Sequence, residues 1–299
     1  MATACLLAAA AFSSAFVTHR QAAPCRRAGR HSSCVPVAGA GPDGADVPRW
    51  FVQVPRTFEA TAAQAGRSIR GAHRAGLRRL VVEAAAPELD PSSGAAYRMT
   101  EVVSLAHDLS LPLLDAGVLP VSRPHVKLLF GSSADATFAG ASITTTSIAV
   151  SVLGHPSAIG PRDGAFVIVA PSSAERSVDT EAALRDLLQV AAARLVVVVN
   201  PRMGNSPVLG GAFEHAYLMR PLSLSYLRDQ FSKQVERVPA CLLRCYPHEW
   251  SVLVDTRRNG GEWQYAGRFD RQPQPAQIEQ LLQQTVTRAV DAARRAGAE

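Results

Sequence analysis

The sequence predicts an α/β fold of three layers, with helices on both sides of a mixed sheet that has a parallel centre and an antiparallel C-terminal edge hairpin. Two observations lead to this prediction. Between Ala165 and Asn205, two Val- and Ile-rich runs flank an amphipathic run, as in two buried parallel strands joined by a crossover helix. Near the C-terminus, Asn259-Gly260 lies between two apolar runs and is typical of a hairpin turn.

Helical and extended patterns alternate before the central stretch. The first helix is predicted over residues 55–75, with Thr57 as its N-cap and Gly76 as its stop. A strand that ends near Glu83 follows, and then a Pro- and Gly-rich segment without periodicity. The next predicted elements are a helix over 95–109, a strand over 126–130, a short helix over 134–141, a strand over 146–153 and a loop over 154–164.

The central unit is predicted as a strand over 165–171, a helix over 178–193 and a strand that ends at Asn200. After this unit the regular alternation of helix and strand ends. We expect a loop over 204–211, a short strand over 213–221, and a loop or short helix over 223–230. Strands over 240–246, 250–257 and 262–269 form a meander, and an amphipathic helix over 275–296 closes the domain. The sequence therefore predicts one α/β domain over residues 43–299.

Residues 1–42 are predicted to be a plastid-targeting leader. An apolar run from Cys5 to Ala11 is too short to span a membrane, and a basic segment without acids follows it. This two-part composition resembles the leaders of plastids acquired by secondary endosymbiosis, and a plain secretory signal is the alternative. We expect the mature protein in the chloroplast stroma, with at most peripheral contact to thylakoids.

The distribution of charge argues against a nucleic-acid surface. The formal net charge of the chain is +6, but Arg20, Arg26, Arg27 and Arg30 place +4 of it in the leader, which leaves +2 for the rest of the chain. Nucleic acid is therefore not an expected partner.

No catalytic residue, metal site or cofactor is predicted. The chain lacks the P-loop and Gly-x-Ser-x-Gly motifs, and its histidines do not occur in His-x-x-x-His order. Cys241 and Cys245 remain after the leader; on a strand they lie roughly 13 Å apart, too far for a disulfide. The neighbours Glu214 and His215 are a weak acid–base pair, because adjacent side chains of a strand point to opposite faces.

Glu83, Asn200 and Arg202 are the candidate ligand-binding residues. They stand at the carboxyl ends of predicted strands, where open α/β sheets bind ligands. An amide and a guanidinium can hold a carboxylate or a phosphate. The alternative is that Asn200 caps its strand and Arg202 pairs with a surface acid.

Arg244, Tyr246 and Trp250 are the candidate partner-binding residues. The two aromatic rings offer wide amphipathic surfaces, and a guanidinium stacks on such rings. The alternative is a corner at Pro247 whose aromatic side chains belong to the core.

Several short motifs in a fixed order carry a resemblance to a known family. They are Val82-Glu83, Pro87-Glu88-Leu89, Val169-Ala170-Pro171, Val198-Val199-Asn200-Pro201-Arg202, Tyr217-Leu218-Met219-Arg220-Pro221-Leu222, Leu243-Arg244-Cys245-Tyr246-Pro247 with Trp250, and Phe269 to Pro273, which leads into the last helix. Over about residues 55–282 the chain resembles the plant, algal and cyanobacterial domain of unknown function nineteen-ninety-five. Where that family tends to have Phe-Pro-Asp, this chain has Phe130-Gly131-Ser132.

The resemblance implies two functions. Some members look like photosystem II assembly factors, which implies a non-catalytic plastid protein that aids photosystem II biogenesis by binding a plastid or thylakoid protein. A similar domain is appended to some plastid adenylate kinases, which implies instead a nucleotide- or phosphometabolite-binding domain with a kinase-associated role. A secreted nucleic-acid-binding protein is disfavoured by the near-neutral mature charge.

Overall fold

The structure, a computed structural model, describes residues 52–115, 118–172, 179–191, 193–227, 235–255 and 263–296. Within these residues nine strands form one sheet in the order β3-β2-β4-β5-β1-β6-β7-β8-β9. The strands are β1 (Arg79–Ala84), β2 (His125–Phe130), β3 (Ile148–Val152), β4 (Asp163–Val169), β5 (Leu195–Val199), β6 (Glu214–Leu227), β7 (Val235–Cys245), β8 (Trp250–Val254) and β9 (Gln264–Phe269).

Helices cover both faces of this sheet. The helices are α1 (Phe58–Arg74), α2 (Met99–Ser110), α3 (Ser133–Ser142), α4 (Thr180–Ala191), α5 (Pro207–Ala212) and α6 (Pro275–Ala296). Buried residues of α1, α2 and α3 pack in one core on the first face. On the second face α4 and α5 pack over the parallel strands, and α6 packs over the antiparallel ones. The predicted three-layer α/β fold is confirmed.

The predicted central unit is also confirmed. β4 and β5 are parallel neighbours, with Ala165 opposite Leu195 and Val169 opposite Val199. Every residue of both strands is buried, because α-helices cover the sheet on both sides. Burial on both faces explains why these strands are continuous apolar runs instead of alternating ones.

The first helix begins and ends where its capping residues predict. The Thr57 hydroxyl accepts a hydrogen bond from the Ala60 amide at 3.1 Å, and Gly76 follows the helix with a φ of 91°. Such a positive φ suits glycine, which has no Cβ to clash. The apolar face of α1, which includes Ala65, Ile69 and Ala72, is buried against the sheet.

The strand β6 corrects one prediction. Residues 223–227 were expected to be a loop or a short helix, but they continue the strand that begins at Glu214 and pair with β7. Pro221 suggested a strand end, yet β1 stops opposite Met219, so Pro221 has a neighbouring strand on one side only. A residue without an amide proton is tolerated at such an edge. The alternation of Leu222 and Leu224 with serines was the signal for the longer strand.

A second correction concerns the predicted loop over 204–211. It contains α5, whose N-cap Ser206 accepts a hydrogen bond from the Leu209 amide at 3.2 Å. Serine followed by Pro207 is a helix-start signal that Gly210 and Gly211 obscured. The leader and the turn at 258–261 lie outside the described residues. The strands that this turn joins, β8 and β9, are antiparallel neighbours, as predicted.

Candidate functional site

The sheet has a topological switch point between β2 and β4. β2 leads through α3 to β3 on one side, whereas β4 leads through α4 to β5 on the other. The two helices lie on opposite faces, since Ala139 of α3 packs in the first core and Leu184 and Leu187 of α4 pack in the second. Open α/β sheets bind ligands beyond the carboxyl ends of the strands at such a point.

A narrow crevice lies at this switch point. Its volume is about 20 Å³, which is room for about one water molecule. Arg202, Asp135 and Tyr97 supply its polar side chains. The remaining lining residues are Met99, Val102, Phe130, Gly131, Val169 and Ala170.

Arg202 reaches the crevice because the segments that leave β4 and β5 run side by side. The Arg202 amide donates to the Pro171 carbonyl at 2.8 Å, and Ser172 and Arg202 form a parallel bridge. Ala170 and Asn200, the residues that follow the two strands, have positive φ values of 44° and 46°. This conformation is unusual for non-glycine residues and costs on the order of 1 kcal/mol. The two turns therefore hold Arg202 at the place that the sequence predicted, a strand end.

The charges around the crevice are mixed. Burial raises the pKa of Tyr97, the negative charge of Asp135 raises it further, and the positive charge of Arg202 opposes both effects. The pKa of Asp90 lies below its ordinary value, chiefly because the Ser92 hydroxyl donates to it, and Arg202 contributes in the same direction. Arg202 thus lies within electrostatic reach of acidic groups, but among the described residues it forms no ion pair with a surface acid.

The local structure at Phe130-Gly131-Ser132 is regular, although the resembling family tends to have Phe-Pro-Asp at this place. Ser132 is the N-cap of α3, and its hydroxyl accepts a hydrogen bond from the Asp135 amide at 3.1 Å. An aspartate at this position would accept the same bond, because aspartate and serine are nearly equivalent caps. Helix α3 therefore begins normally at the switch point without that acid.

Asn200 is engaged by the backbone of the neighbouring strand. Its Oδ1 accepts from the Ala84 amide at 2.7 Å, and its Nδ2 donates to the Ala84 carbonyl at 3.2 Å. The side-chain amide thus extends the pairing of β5 with β1 past the end of the ladder, as a peptide group would. The structure places Asn200 as a strand cap, which was the alternative to ligand binding.

Glu83 lies in a charged cluster between β1 and β6. One carboxylate oxygen accepts from His215 Nε2 at 2.9 Å and the other from Arg220 Nη2 at 2.8 Å. Burial raises the pKa of Glu83, but the hydrogen bond and charge of His215, together with Arg220, outweigh burial and bring the pKa below its ordinary value. The carboxylate is therefore ionised and held by two donors of its own chain.

Arg244, Tyr246 and Trp250 lie together at the end of β7 and the start of β8. The Arg244 guanidinium carbon lies 5.8 Å from the Tyr246 ring centroid and 5.9 Å from that of Trp250, within cation–π range. A guanidinium nitrogen also donates to the His248 carbonyl. Trp250 is only 5% exposed, so its indole belongs to the core, whereas Tyr246 is half-buried.

His215 connects the two predicted sets of residues. Its ring forms an edge contact with Trp250 at a centroid distance of 5.4 Å, and its Nε2 bonds Glu83. In the sequence, Glu214 is the acid next to His215, but adjacent residues of a strand face opposite ways, so these two do not form an acid–base pair. The acid that His215 contacts belongs to the neighbouring strand, and no local pattern identifies it. Tyr97 and Asp135 of the crevice were missed for the same reason.

The described part of the chain contains no group of three or more acidic, cysteine and histidine side chains suited to a metal ion. In the same residues, no helix has both the length and the apolar character needed to cross a bilayer.

Comparison with known proteins identifies a family. A model described as domain of unknown function (DUF1995) matches residues 55–280, about three quarters of the chain, which confirms the resemblance that the sequence motifs carry. A search of curated proteins and a search of solved structures each returned no match.

Proposed function

We propose a binding function for this chain, which belongs to the family of the domain of unknown function DUF1995. In this proposal it is a non-catalytic plastid protein, an auxiliary factor of photosystem II biogenesis that acts by contact with a plastid or thylakoid protein. The composition of residues 1–42 and the family resemblance support the plastid assignment.

One observation carries the preference for binding over catalysis. Two of the three candidate ligand-binding residues are already used inside the chain: Asn200 by the Ala84 backbone and Glu83 by His215 and Arg220. The crevice beside them has a volume of about 20 Å³, too small for a metabolite without rearrangement. A sheet whose candidate carboxylate and amide are bonded within the chain is suited to presenting a surface.

The corner after β7 is the surface that we assign to the partner. Pro247 and His248 are exposed, Tyr246 is half-buried, and stacking holds Arg244 beside them. The Nε of Arg244 is buried and has no hydrogen-bond partner within the described residues. An acceptor on a partner that reached this donor would relieve a desolvation cost of about 1–3 kcal/mol.

Affinity purification of the tagged full chain from plastids tests this function. We expect thylakoid proteins to co-purify with the wild type and to be lost with Arg244→Ala. Phe138→Ala is the matched control, because this side chain is 41% exposed on α3, away from the corner. A protein that migrates as a free monomer and captures no thylakoid protein, or a tagged chain found outside plastids, would contradict the proposal.

Binding of a nucleotide or phosphorylated metabolite, in a kinase-associated role, is the second candidate. The position of Arg202 at the switch point, next to the start of α3, favours it. A thermal-shift screen of such ligands tests it by comparing the ligand-induced shift of the wild type with that of Arg202→Ala. No shift with any ligand, or an equal shift in both proteins, would exclude this candidate.

A further inference from the structure

The amino-terminal edge of the parallel strands carries a cluster of arginines, here called the basic rim. Its members stand directly before the parallel strands or at the end of the helix that leads into β1: Arg74, Arg78, Arg123, Arg162 and Arg194. Because β1, β2, β4 and β5 are parallel neighbours in register, their first residues meet at one edge of the sheet. Residues scattered over about 120 positions of the sequence thus form one surface.

Backbone and side-chain contacts tie the rim together. The Val196 amide donates to the Arg78 carbonyl at 2.8 Å, and the His125 amide donates to the Arg162 carbonyl at 3.2 Å. Burial lowers the pKa of Arg194 and the positive charge of Arg123 lowers it further, whereas the negative charge of Asp163 opposes both effects. The two guanidinium groups are therefore within electrostatic reach of each other.

Two acids near this edge lie close to basic side chains outside the rim. Asp115 pairs with Arg70 at 2.5 Å, and Asp163 is 3% exposed and lies 3.8 Å from Lys127. Glu214, at the start of β6, is exposed. Among the described residues, no carboxylate lies within ion-pair distance of a rim arginine. The rim is thus a local positive surface on a domain whose charge, counted from residue 43 onward, is only +2.

Exposed apolar side chains lie at the same edge. Val121 is 97% exposed in the turn that precedes β2, and Val190 is 59% exposed in the last turn of α4, which leads into β5. Leu111, 40% exposed, follows α2, whose last turn reaches this edge through a 3.1 Å hydrogen bond between His107 and Thr145. Three of the four large apolar side chains found exposed in the described residues therefore belong to segments that lead into this edge, and Phe138 is the fourth.

We propose that the basic rim and Val121 form a docking surface for a lipid bilayer that contains anionic lipids. Guanidinium groups attract anionic headgroups, and an apolar side chain without protein neighbours enters the boundary between headgroups and acyl chains. A nucleic acid would also attract the arginines, but it gains little from exposed valines and leucine, so the bilayer fits both observations. This surface adjoins the partner corner, because Tyr246 packs at Gly71 of α1, three residues before Arg74, but the proposal does not depend on the proposed function.

Cosedimentation of the full chain with phosphatidylcholine vesicles, with and without phosphatidylglycerol, tests the proposal. We expect binding only to the anionic vesicles. The double variant Arg78→Ser/Arg162→Ser should lower the partition coefficient about 25-fold, since each arginine near the surface contributes about fivefold. The control double variant Arg98→Ser/Arg185→Ser removes the same charge from exposed positions outside the rim. It should change the partition coefficient about twofold at most. Val121→Ser should weaken vesicle binding about threefold, because it removes an apolar side chain.

Hydrogen exchange of the full chain with and without anionic vesicles locates the contact, because the basic leader can also attract anionic lipid. We expect protection of peptides that cover residues 118–125 and 158–164. Protection confined to residues 1–42, no binding to anionic vesicles, or equal losses in the two double variants would overturn the proposal. Tighter binding to a single-stranded oligonucleotide than to vesicles, unaffected by Val121→Ser, would overturn it in favour of a nucleic-acid surface.

Discussion

Glu83 and His215 are joined by a hydrogen bond of 2.9 Å across two neighbouring strands, although 132 positions separate them in the sequence. Arg220 holds the other carboxylate oxygen at 2.8 Å. The pair lies on the second face, where β1 and β6 meet between the parallel and the antiparallel strands. The contribution of Glu83 to the free energy of unfolding can be measured from its dependence on pH.

Glu83→Gln should destabilise the protein at neutral pH and lose this effect in acid. The folded-state pKa of Glu83 lies below its ordinary value of 4.5. As the pH falls below 4.5, the Glu83 carboxylate is protonated in the unfolded chain before it is protonated in the folded protein. Its contribution to the free energy of unfolding is therefore complete above pH 4.5 and is lost as the pH falls through the folded-state pKa. Urea unfolding of both proteins between about pH 3 and pH 8 measures it.

The matched control for this measurement is Glu88→Gln, which removes an exposed carboxylate near the same strand end. We expect the control to show no such pH-dependent difference from the wild type. A difference between wild type and Glu83→Gln that is constant with pH would show that the charge of Glu83 contributes nothing specific.

Substitution of Asn200 should separate its two structural roles. Asn200→Gly removes both hydrogen bonds to Ala84 but accommodates the positive φ, and we expect a loss of about 2 kcal/mol in the free energy of unfolding. Asn200→Ala adds the cost of a left-handed conformation, about 1 kcal/mol more. Urea unfolding measures both values, and an unchanged stability of Asn200→Gly would show that the amide does not join β5 to β1.

Cys241 and Cys245 should be unreactive in the native protein. They are free thiols with exposures of 2% and 4%, and burial raises the pKa of each to about 12. A full chain in which Cys5, Cys25 and Cys34 are replaced by serine should give no rapid reaction with a thiol reagent at neutral pH and two equivalents after unfolding. Fast modification of either thiol without unfolding would contradict the burial of β7.

Gly164→Ala should strongly destabilise the protein. A Cβ at this position in β4 would overlap the carbonyl oxygen of Arg123, a backbone atom that cannot move without shifting the start of β2. We expect a loss of about 3 kcal/mol, as for other overpacked sites. Gly210→Ala is the control, because its Cβ would meet no neighbour within 4 Å and alanine favours helix α5. Thermal unfolding of both variants measures the difference, and equal stabilities would refute this packing.

Local patterns were sufficient where a residue's neighbours in sequence are also its determinants in space. The Thr57 cap and Gly76 stop depend on contacts within one helical turn, and both were predictable. Local patterns gave a wrong prediction where a distant strand determines the structure. Pro221 ends a strand in most contexts, but here it lies past the end of β1, where a missing amide proton costs little.

The β4–α4–β5 unit and the amphipathic helices follow from the sequence alone, because burial on one face or on two imposes a periodicity that the chain displays directly. The position of β1 between β5 and β6 does not follow from it, and this order brings Asn200 to Ala84 and Glu83 to His215. Strand order depends on how crossover helices share the two faces of the sheet, which is a matter of tertiary packing. The side-chain pairs that result are therefore set by that packing, not by spacing along the chain.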